Sequence, residues 1–242
     1  AQLVKDGEIN LGDKINIVVP TGNFGNILAG FYAKKMGLPV NKLICASNAN
    51  NVLTDFLNTG VYNRNRPFHT TISPSMDILI SSNLERLLYH LSGEDDAQIR
   101  EWFGALATDG KYEVTDEVKA MLRDEFYAGC CDDAQTKACI KDIYDKYSYT
   151  CDTHTAVAVK VYEEFRTATG DNKPTVIAST ASPFKFTASV LSAVDASLVK
   201  GEEYEMAKVL ADATGVECPA QLCGLENKED LISDLKQALE KI

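Results

Sequence analysis

Three apolar runs in the chain, residues 15–20, 42–47 and 175–180, lack the alternation of polar residues that marks a strand with one solvated face. Together they are rich in β-branched residues, as strands covered on both faces tend to be. Each run leads into a polar or glycine-containing turn and then into a helical pattern. The sequence therefore predicts an α/β fold, a mostly parallel sheet with helices on both faces.

The middle of the chain, from about residue 81 to 169, has apolar residues at helical spacings of three and four. Ser82 and Glu85 have the capping-box pattern ahead of the first of these helices. Two more helices are predicted at 202–214 and 228–242. We divide the chain into three parts: a sheet-forming part of a large domain (1–80), a helical excursion (81–150), and a return to the large domain with the final helices (151–242).

Composition excludes several classes of partner. The chain has 24 Lys and Arg against 35 Asp and Glu, a formal charge of -11, which repels nucleic acid and anionic membrane surfaces. No apolar run approaches the roughly 18 residues that span a bilayer. Seven cysteines without paired spacing predict neither a disulfide framework nor a metal site, so a reducing cytoplasm is the expected location.

The first apolar run ends in "PTGNFGN", where glycines and asparagines precede a helical pattern. Backbone amides at such a turn can form an anion nest, strengthened by the helix dipole. Turn formation alone, with Gly and Asn in left-handed conformations, explains the stretch equally well. The Lys-Ser or Lys-Thr pair of a P-loop and the spacing of a dinucleotide fingerprint are both missing. Phosphate on a molecule smaller than a nucleotide is the remaining anion hypothesis.

The third apolar run brings hydroxyls to the carboxyl end of its strand, on Ser179, Thr180 and Ser182. A hydroxyl at this position can meet one edge of a heteroaromatic ring. The alternative interpretation is that these hydroxyls cap the helix that follows Pro183.

Four motifs, in this order, resemble those of threonine synthase, a pyridoxal-phosphate enzyme of the tryptophan-synthase-β fold type: "PTGNFGN", "SPSMDI", "DTHTAVA" and "STASPFKF". The resemblance implies that the amides of Gly22, Asn23, Phe24, Gly25 and Asn26 hold the phosphate of pyridoxal 5'-phosphate. It also implies that Thr180 meets the pyridine nitrogen. A neutral hydroxyl there does not keep the nitrogen protonated, which tempers the ring as an electron sink.

The family reaction converts O-phosphohomoserine and water to threonine and phosphate. Its Schiff-base lysine lies in a Phe-Lys-Asp motif, and no such motif occurs in these 242 residues. Lys185 in "SPFKF" is not at the place of that lysine. We therefore expect no catalytic residue in this chain, which resembles a carboxyl-terminal part whose partner is the missing amino-terminal half of the same polypeptide.

The resemblance also implies that Ser73, Ser75 and Asp77 line the substrate cleft, and His154 is a candidate general acid or base. Simpler roles are open for each of them. A turn around Pro74 accounts for the first three, and packing at a helix start accounts for His154. Three asparagines that follow the second strand can face the cleft or only form a turn: Asn48, Asn50 and Asn51.

Two alternative functions remain from the sequence. One is another pyridoxal-phosphate lyase of the same fold, such as a threonine or serine dehydratase. The other is a noncatalytic domain that keeps a phosphate nest for an effector, a hypothesis that the absent lysine favours if these 242 residues are the whole natural product.

Overall fold

The computed structural model describes residues 1–220 and 222, so the helix predicted at 228–242 lies outside the described residues. Two compact units make up the chain. Unit 1 contains residues 1–139 and 153–180, and unit 2 contains residues 140–152 and 181–242. The three-part division of the sequence stays a prediction.

The helices and strands follow in chain order. The α-helices of the described residues are α1 (Gln2–Lys5), α2 (Gly25–Lys35), α3 (Val52–Thr59), α4 (Leu84–Leu91), α5 (Asp96–Thr108), α6 (Asp116–Glu125), α7 (Asp133–Tyr147), α8 (Thr153–Thr169), α9 (Thr187–Val194) and α10 (Glu203–Thr214). The strands are β1 (Ile15–Pro20), β2 (Val40–Ser47), β3 (Val61–Asn63), β4 (Lys111–Glu113), β5 (Phe126–Cys130) and β6 (Thr175–Ile177). Short 3-10 helices cover Pro74–Met76, Pro183–Lys185 and Ala196–Leu198.

The main sheet of unit 1 has the strand order β5-β2-β1-β6, and all its pairs are parallel. Val18 of β1 lies opposite Ile44 on one side and Ile177 on the other. A separate antiparallel pair joins β3 and β4. The parallel sheet predicted from the apolar runs is confirmed.

Both faces of the main sheet are covered by helices. On one face, Val18 and Ile44 pack in a cluster with Val157 of α8. On the other face, Val19 and Leu43 belong to the larger core, which includes side chains of α2 and α3. Alternate residues of β1 therefore face opposite layers, which explains why its sequence shows no polar alternation.

Three strands differ from the sequence expectation. The segment predicted as helical contains β4 and also β5, an edge strand of the main sheet that begins at Phe126, directly after α6. Each of these strands is too short to interrupt the helical spacing of apolar residues in the helices before and after it. In contrast, β6 is shorter than predicted, because it ends at Ile177, three residues before the end of the apolar run. The amide of Ala178 still donates to the Val18 carbonyl at 2.9 Å, and after it the chain leaves β1.

The predicted capping box of Ser82 and Glu85 is wrong. Helix α4 begins after Asn83, and no side chain caps its first turn. The hydroxyl of Ser82 lies instead 3.4 Å from Asn23 Oδ1, so its hydrogen bond goes to a neighbouring loop.

Unit 2 contains α9 and α10, of which α10 confirms the helix predicted at 202–214. A capping box of Glu202 and Glu205 starts α10, and Gly215 ends it in the left-handed conformation. The Tyr144 hydroxyl donates to the Ala213 carbonyl at 3.0 Å and so ties α7 to the end of α10.

The cysteines of the described residues are mostly thiols, on Cys45, Cys130, Cys131, Cys139 and Cys151. Cys218 departs from the sequence expectation, because it is disulfide-bonded. Across the part of the chain that the structure describes, no helix is long and apolar enough to cross a membrane.

A polar cluster fastens the amino ends of three strands of the main sheet. Asn16, fully buried on β1, donates to Asp171 Oδ1 at 3.1 Å, and Asn41 donates to Asn16 Oδ1 at 2.8 Å. Lys173 contacts both carboxylate oxygens of Asp171, through its amide at 2.9 Å and its ammonium at 2.8 Å. Burial raises the pKa of Asp171, but the hydrogen bonds from Lys173 and Asn16 outweigh it, so the pKa lies below its ordinary value.

We expect Asp171→Asn to lower the free energy of unfolding by about 1–2 kcal/mol at pH 7, because hydrogen bonds to a charged acceptor are lost. The folded-state pKa is depressed, so this stabilisation is present above the unfolded-state pKa of about 3.9 and is lost as the pH falls through the folded value. Urea unfolding at pH 7 and pH 3.5 measures the difference. Asp96→Asn, in an exposed pair with Arg100, is the control and should change little. An unchanged stability of Asp171→Asn at pH 7 would contradict the prediction.

Candidate functional site

The carboxyl ends of β1, β2 and β6 meet at one edge of the sheet, because the strands are parallel. This edge carries the motif residues that follow each strand. Since Val18 lies opposite Ile177, Thr21 and Thr180 each come three residues beyond a paired position and leave the sheet at the same edge. The architecture thus brings the glycine-rich turn and the third-strand hydroxyls together, as ligand sites in open α/β sheets require.

Residues 22–26 comprise the end of the turn after β1 and the first two residues of α2, and we call them the nest loop. Its left-handed residue is Phe24, with φ of 62°, whereas Gly22 and Gly25 do not take a positive φ. The explanation that glycine and asparagine supply left-handed angles is therefore wrong. A left-handed conformation costs a non-glycine residue of the order of 1–3 kcal/mol, and such residues cluster at functional sites.

The side chain of Phe24 explains why the turn tolerates this conformation. Phe24 is 1% exposed, and its ring lies 5.8 Å from that of Phe126 in the core of unit 1. Burying a phenylalanine contributes about 1.5–3 kcal/mol, which is the same size as the backbone penalty. The ring therefore anchors the loop in a conformation that glycine could adopt but could not hold.

The residues just before α4 hold the carbonyls of the nest loop. Ser81 Oγ donates to the Gly22 carbonyl at 3.0 Å, and Asn83 Nδ2 donates to the Asn23 carbonyl at 2.7 Å. The Asn83 amide also donates to Asn23 O, at 3.2 Å. We call Ser81 and Asn83 the α4 clamp. Sequence reasoning missed both residues, because no local pattern connects them to a loop sixty residues earlier.

The amides of residues 22–26 make no hydrogen bond to any residue that the structure describes. The carbonyls of the same loop are occupied, while the amides are left as donors at the start of α2, where the helix dipole adds positive potential. Such an arrangement can bind an anion without any positively charged side chain.

The nest loop also lies close to the 3-10 helix Pro74–Met76. A Cβ at Gly22 would come within 2.5 Å of the Ser75 carbonyl oxygen and 3.2 Å of Met76 Cα, so only glycine fits there. The Ser75 amide donates to His154 Nε2 at 3.2 Å. His154 is 3% exposed, and it holds the 3-10 helix Pro74–Met76 against the loop. This hydrogen bond fits the simpler interpretation of His154, in which the side chain is packed at the start of a helix.

Ser73 and Asp77 belong to a buried network at the end of β2. Asn48 Nδ2 donates to Asp77 Oδ1 at 2.8 Å and to Ser73 Oγ at 3.1 Å, and Asn50 Nδ2 donates to the same carboxylate at 2.9 Å. Thr71 adds donors to both oxygens of Asp77, from its amide at 2.9 Å and its hydroxyl at 2.7 Å. The asparagines therefore fasten the segment that supports the nest loop, and Thr71 is a member that the sequence did not reveal.

The hydroxyls after β6 are divided between different contacts. Thr155 of α8 donates to Ser179 Oγ at 3.4 Å, and Thr180 is exposed. Ser182 accepts from the Phe184 amide at 3.3 Å, which confirms the capping interpretation for this residue. At the end of β2, the side chain of Ser47 is buried and lies beside the Cys45 thiol.

Fold and site together define a class: an α/β protein with a nest of backbone amides at the carboxyl edge of a parallel sheet. The family model "Threonine synthase, C-terminal" matches residues 155–242. Threonine synthase-like 1 of Homo sapiens is 42% identical over 193 residues, which are 79% of this chain and 26% of that protein. Threonine synthase of Saccharomyces cerevisiae is 41% identical over 195 residues, 75% of this chain and 38% of that protein.

Solved structures agree with these matches. A pyridoxal-phosphate-bound threonine synthase from Brucella melitensis superposes with a TM-score of 0.72 and 33% identity, covering 87% of this chain and 48% of that one. The yeast threonine synthase structure gives a TM-score of 0.70 and 37% identity, covering 84% and 43%. The family model, the curated relatives and the solved structures thus all match this chain to a carboxyl-terminal portion of threonine synthase. It spans between about a quarter and a half of the length of these relatives.

We expect Gly22→Ala to destabilise unit 1 by about 1–3 kcal/mol, because the new Cβ overlaps backbone atoms that cannot rotate away. Gly25→Ala is the matched control, since its Cβ would lie 3.5 Å from Asn83 Nδ2, an ordinary contact. Urea midpoints of the two variants check the prediction. Equal midpoints for both variants would show that the contact with Ser75 does not restrict residue 22.

Proposed function

We propose that the nest loop holds the phosphate of pyridoxal 5'-phosphate through the amides of residues 22–26, and that Thr180 meets the pyridine nitrogen. One observation carries the proposal. The carbonyls of Gly22 and Asn23 accept hydrogen bonds from the α4 clamp, whereas the amides of residues 22–26 have no hydrogen-bond partner among the described residues. Thr180, an exposed residue, follows β6 at the same edge of the sheet.

We further propose that the whole polypeptide to which this chain belongs converts O-phosphohomoserine and water to L-threonine and phosphate. When bound, pyridoxal phosphate supplies an electron sink for charge that develops on the substrate. The residues of this chain bind and orient its phosphate and ring. The match to the family model and the similarity to a solved threonine synthase titled as bound to pyridoxal phosphate support this activity.

The group that attaches the cofactor and moves protons is proposed to come from outside these 242 residues. The family's Phe-Lys-Asp motif is absent here, and the chain spans at most 48% of the relatives described above. We therefore propose that the isolated chain has no turnover. Ser73, Ser75, Asp77 and His154 support the loops of the substrate cleft, since their hydrogen bonds within unit 1 hold the segment beside Gly22.

A cytoplasmic location is part of the same proposal. It is supported by the five cysteine thiols, whereas the disulfide bond of Cys218 argues against it. A threonine-forming enzyme acting on a phosphorylated metabolite is expected in the same compartment as its substrate.

We expect the double variant Ser81→Ala with Asn83→Ala to weaken binding of pyridoxal phosphate to the chain by about tenfold. The carbonyls of Gly22 and Asn23 would lose their hydrogen-bond donors, so the nest loop and its amides would be held less firmly. Phosphorus NMR titration measures the affinity. Ser92→Ala is the control, since its hydroxyl donates to the Tyr89 carbonyl at the other end of α4. Pyridoxal without phosphate should bind weakly to all variants. Equal affinity for the two cofactor forms would contradict phosphate binding by the loop.

We expect the full-length protein that contains this chain to release phosphate and threonine from O-phosphohomoserine only with pyridoxal phosphate present. Assays for threonine and for 2-oxoacid, with O-phosphohomoserine, threonine and serine as substrates, separate a synthase from a dehydratase. The isolated chain, treated with pyridoxal phosphate and borohydride, should carry no label on a single specific lysine. Absence of both activities in the full-length protein would favour the noncatalytic alternative.

A further inference from the structure

A groove on unit 1 between α2, α4 and α5 has no role in the site described above. Its volume is about 310 Å³, near the lower end of the range for small-molecule sites. We call it the aromatic groove, and it is lined by Tyr32, Glu85, Arg86, Tyr89, His90 and Ile99. All six residues belong to unit 1.

The walls of the aromatic groove suit a flat apolar group. The rings of Tyr32 and His90 meet edge to face with centroids 5.4 Å apart, and the Tyr32 hydroxyl lies 3.2 Å from His90 Nε2. The ring of Tyr89 also contacts that of His90, with centroids 6.0 Å apart. This hydrogen bond and these ring contacts hold the aromatic surfaces in place, which favours stacking with a ligand ring.

The rim of the groove carries one charge of each sign, on Glu85 and Arg86, and both side chains are exposed. As neighbours in sequence on a helix they do not face each other, and no ion pair joins either to another described residue. Both residues line the groove, so the carboxylate of Glu85 and the guanidinium of Arg86 offer separate partners for the ammonium and the carboxylate of a free α-amino acid.

We propose that the aromatic groove binds a free aromatic α-amino acid. Its ring lies against Tyr32, Tyr89 and His90, its carboxylate binds Arg86, and its ammonium binds Glu85. The pairing of opposite charges beside an aromatic surface distinguishes this ligand from a simple anion or an apolar molecule.

The groove is also connected to the nest loop. Arg86 Nη1 donates to Asn83 Oδ1 at 2.5 Å, and Asn83 Nδ2 donates to the Asn23 carbonyl at 2.7 Å. A ligand carboxylate that draws Arg86 away from Asn83 would loosen the α4 clamp. Amino-acid binding therefore lowers anion affinity at the nest loop, a coupling that rests on the proposed function of that loop.

Calorimetric titration of the 242-residue chain with L-phenylalanine tests the groove. We expect saturable binding that weakens about tenfold or more in Arg86→Gln and in Glu85→Gln, since each removes one charge-assisted contact. Arg100→Gln, which removes an exposed arginine of α5, is the matched control and should bind normally. Phenylacetate, phenethylamine and L-alanine each lack one recognised group and should bind more weakly. Absence of saturation by L-phenylalanine, or full affinity in Arg86→Gln, would overturn the proposal.

Phosphorus NMR titration with inorganic phosphate tests the coupling. We expect saturating L-phenylalanine to weaken phosphate binding by about threefold or more, and phosphate to weaken L-phenylalanine binding by the same factor, because coupling is reciprocal. In Arg86→Gln, phosphate affinity should not depend on L-phenylalanine. Phosphate affinity that L-phenylalanine leaves unchanged would overturn the coupling. Failure of phosphate to bind at all would overturn the coupling and the nest together, whereas the groove is judged by the L-phenylalanine titration alone.

Discussion

The left-handed backbone of Phe24 is the constraint on which the rest of the site depends. At this residue the chain passes from β1 into α2, in a loop whose carbonyls accept hydrogen bonds while the amides of residues 22–26 donate to no described residue. The backbone penalty and the burial of the phenyl ring are of similar size, so the conformation persists because the ring is held in the core. A strained turn at the end of a buried strand thereby becomes a rigid set of donors.

Two other segments of unit 1 hold that turn in place. The α4 clamp takes the carbonyls of Gly22 and Asn23. At Gly22, the Ser75 carbonyl occupies the space that a side chain would need, and His154 accepts a hydrogen bond from the amide of Ser75. Behind this contact, Asp77 receives hydrogen bonds from three residues and so secures the same segment. Most motif residues therefore position the loop, and its backbone amides are left without partners among the described residues.

The main features of the fold were readable from local pattern. The strands β1 and β2 and the helices of the middle segment follow from apolar spacing, because burial on one or both faces imposes that spacing on the chain. The short strand β5 escaped detection, since its place is decided by pairing with β2, not by its own five residues. The capping pattern at Ser82 misled for a related reason. Its hydroxyl bonds to Asn23, which is distant in sequence, instead of the first turn of α4, and no local pattern reveals that contact.

The sequence by itself determined that glycine and asparagine follow a buried strand and precede a helix, and its ordered motifs indicated the family. Only the tertiary structure decided how that turn is built. It assigns the left-handed conformation to Phe24, and it makes Gly22 necessary through a close backbone contact. It also recruits Ser81 and Asn83 from a segment sixty residues away. The physical reason is that spacing records which side chains are buried, whereas the direction of a peptide group depends on partners that only the folded chain brings near.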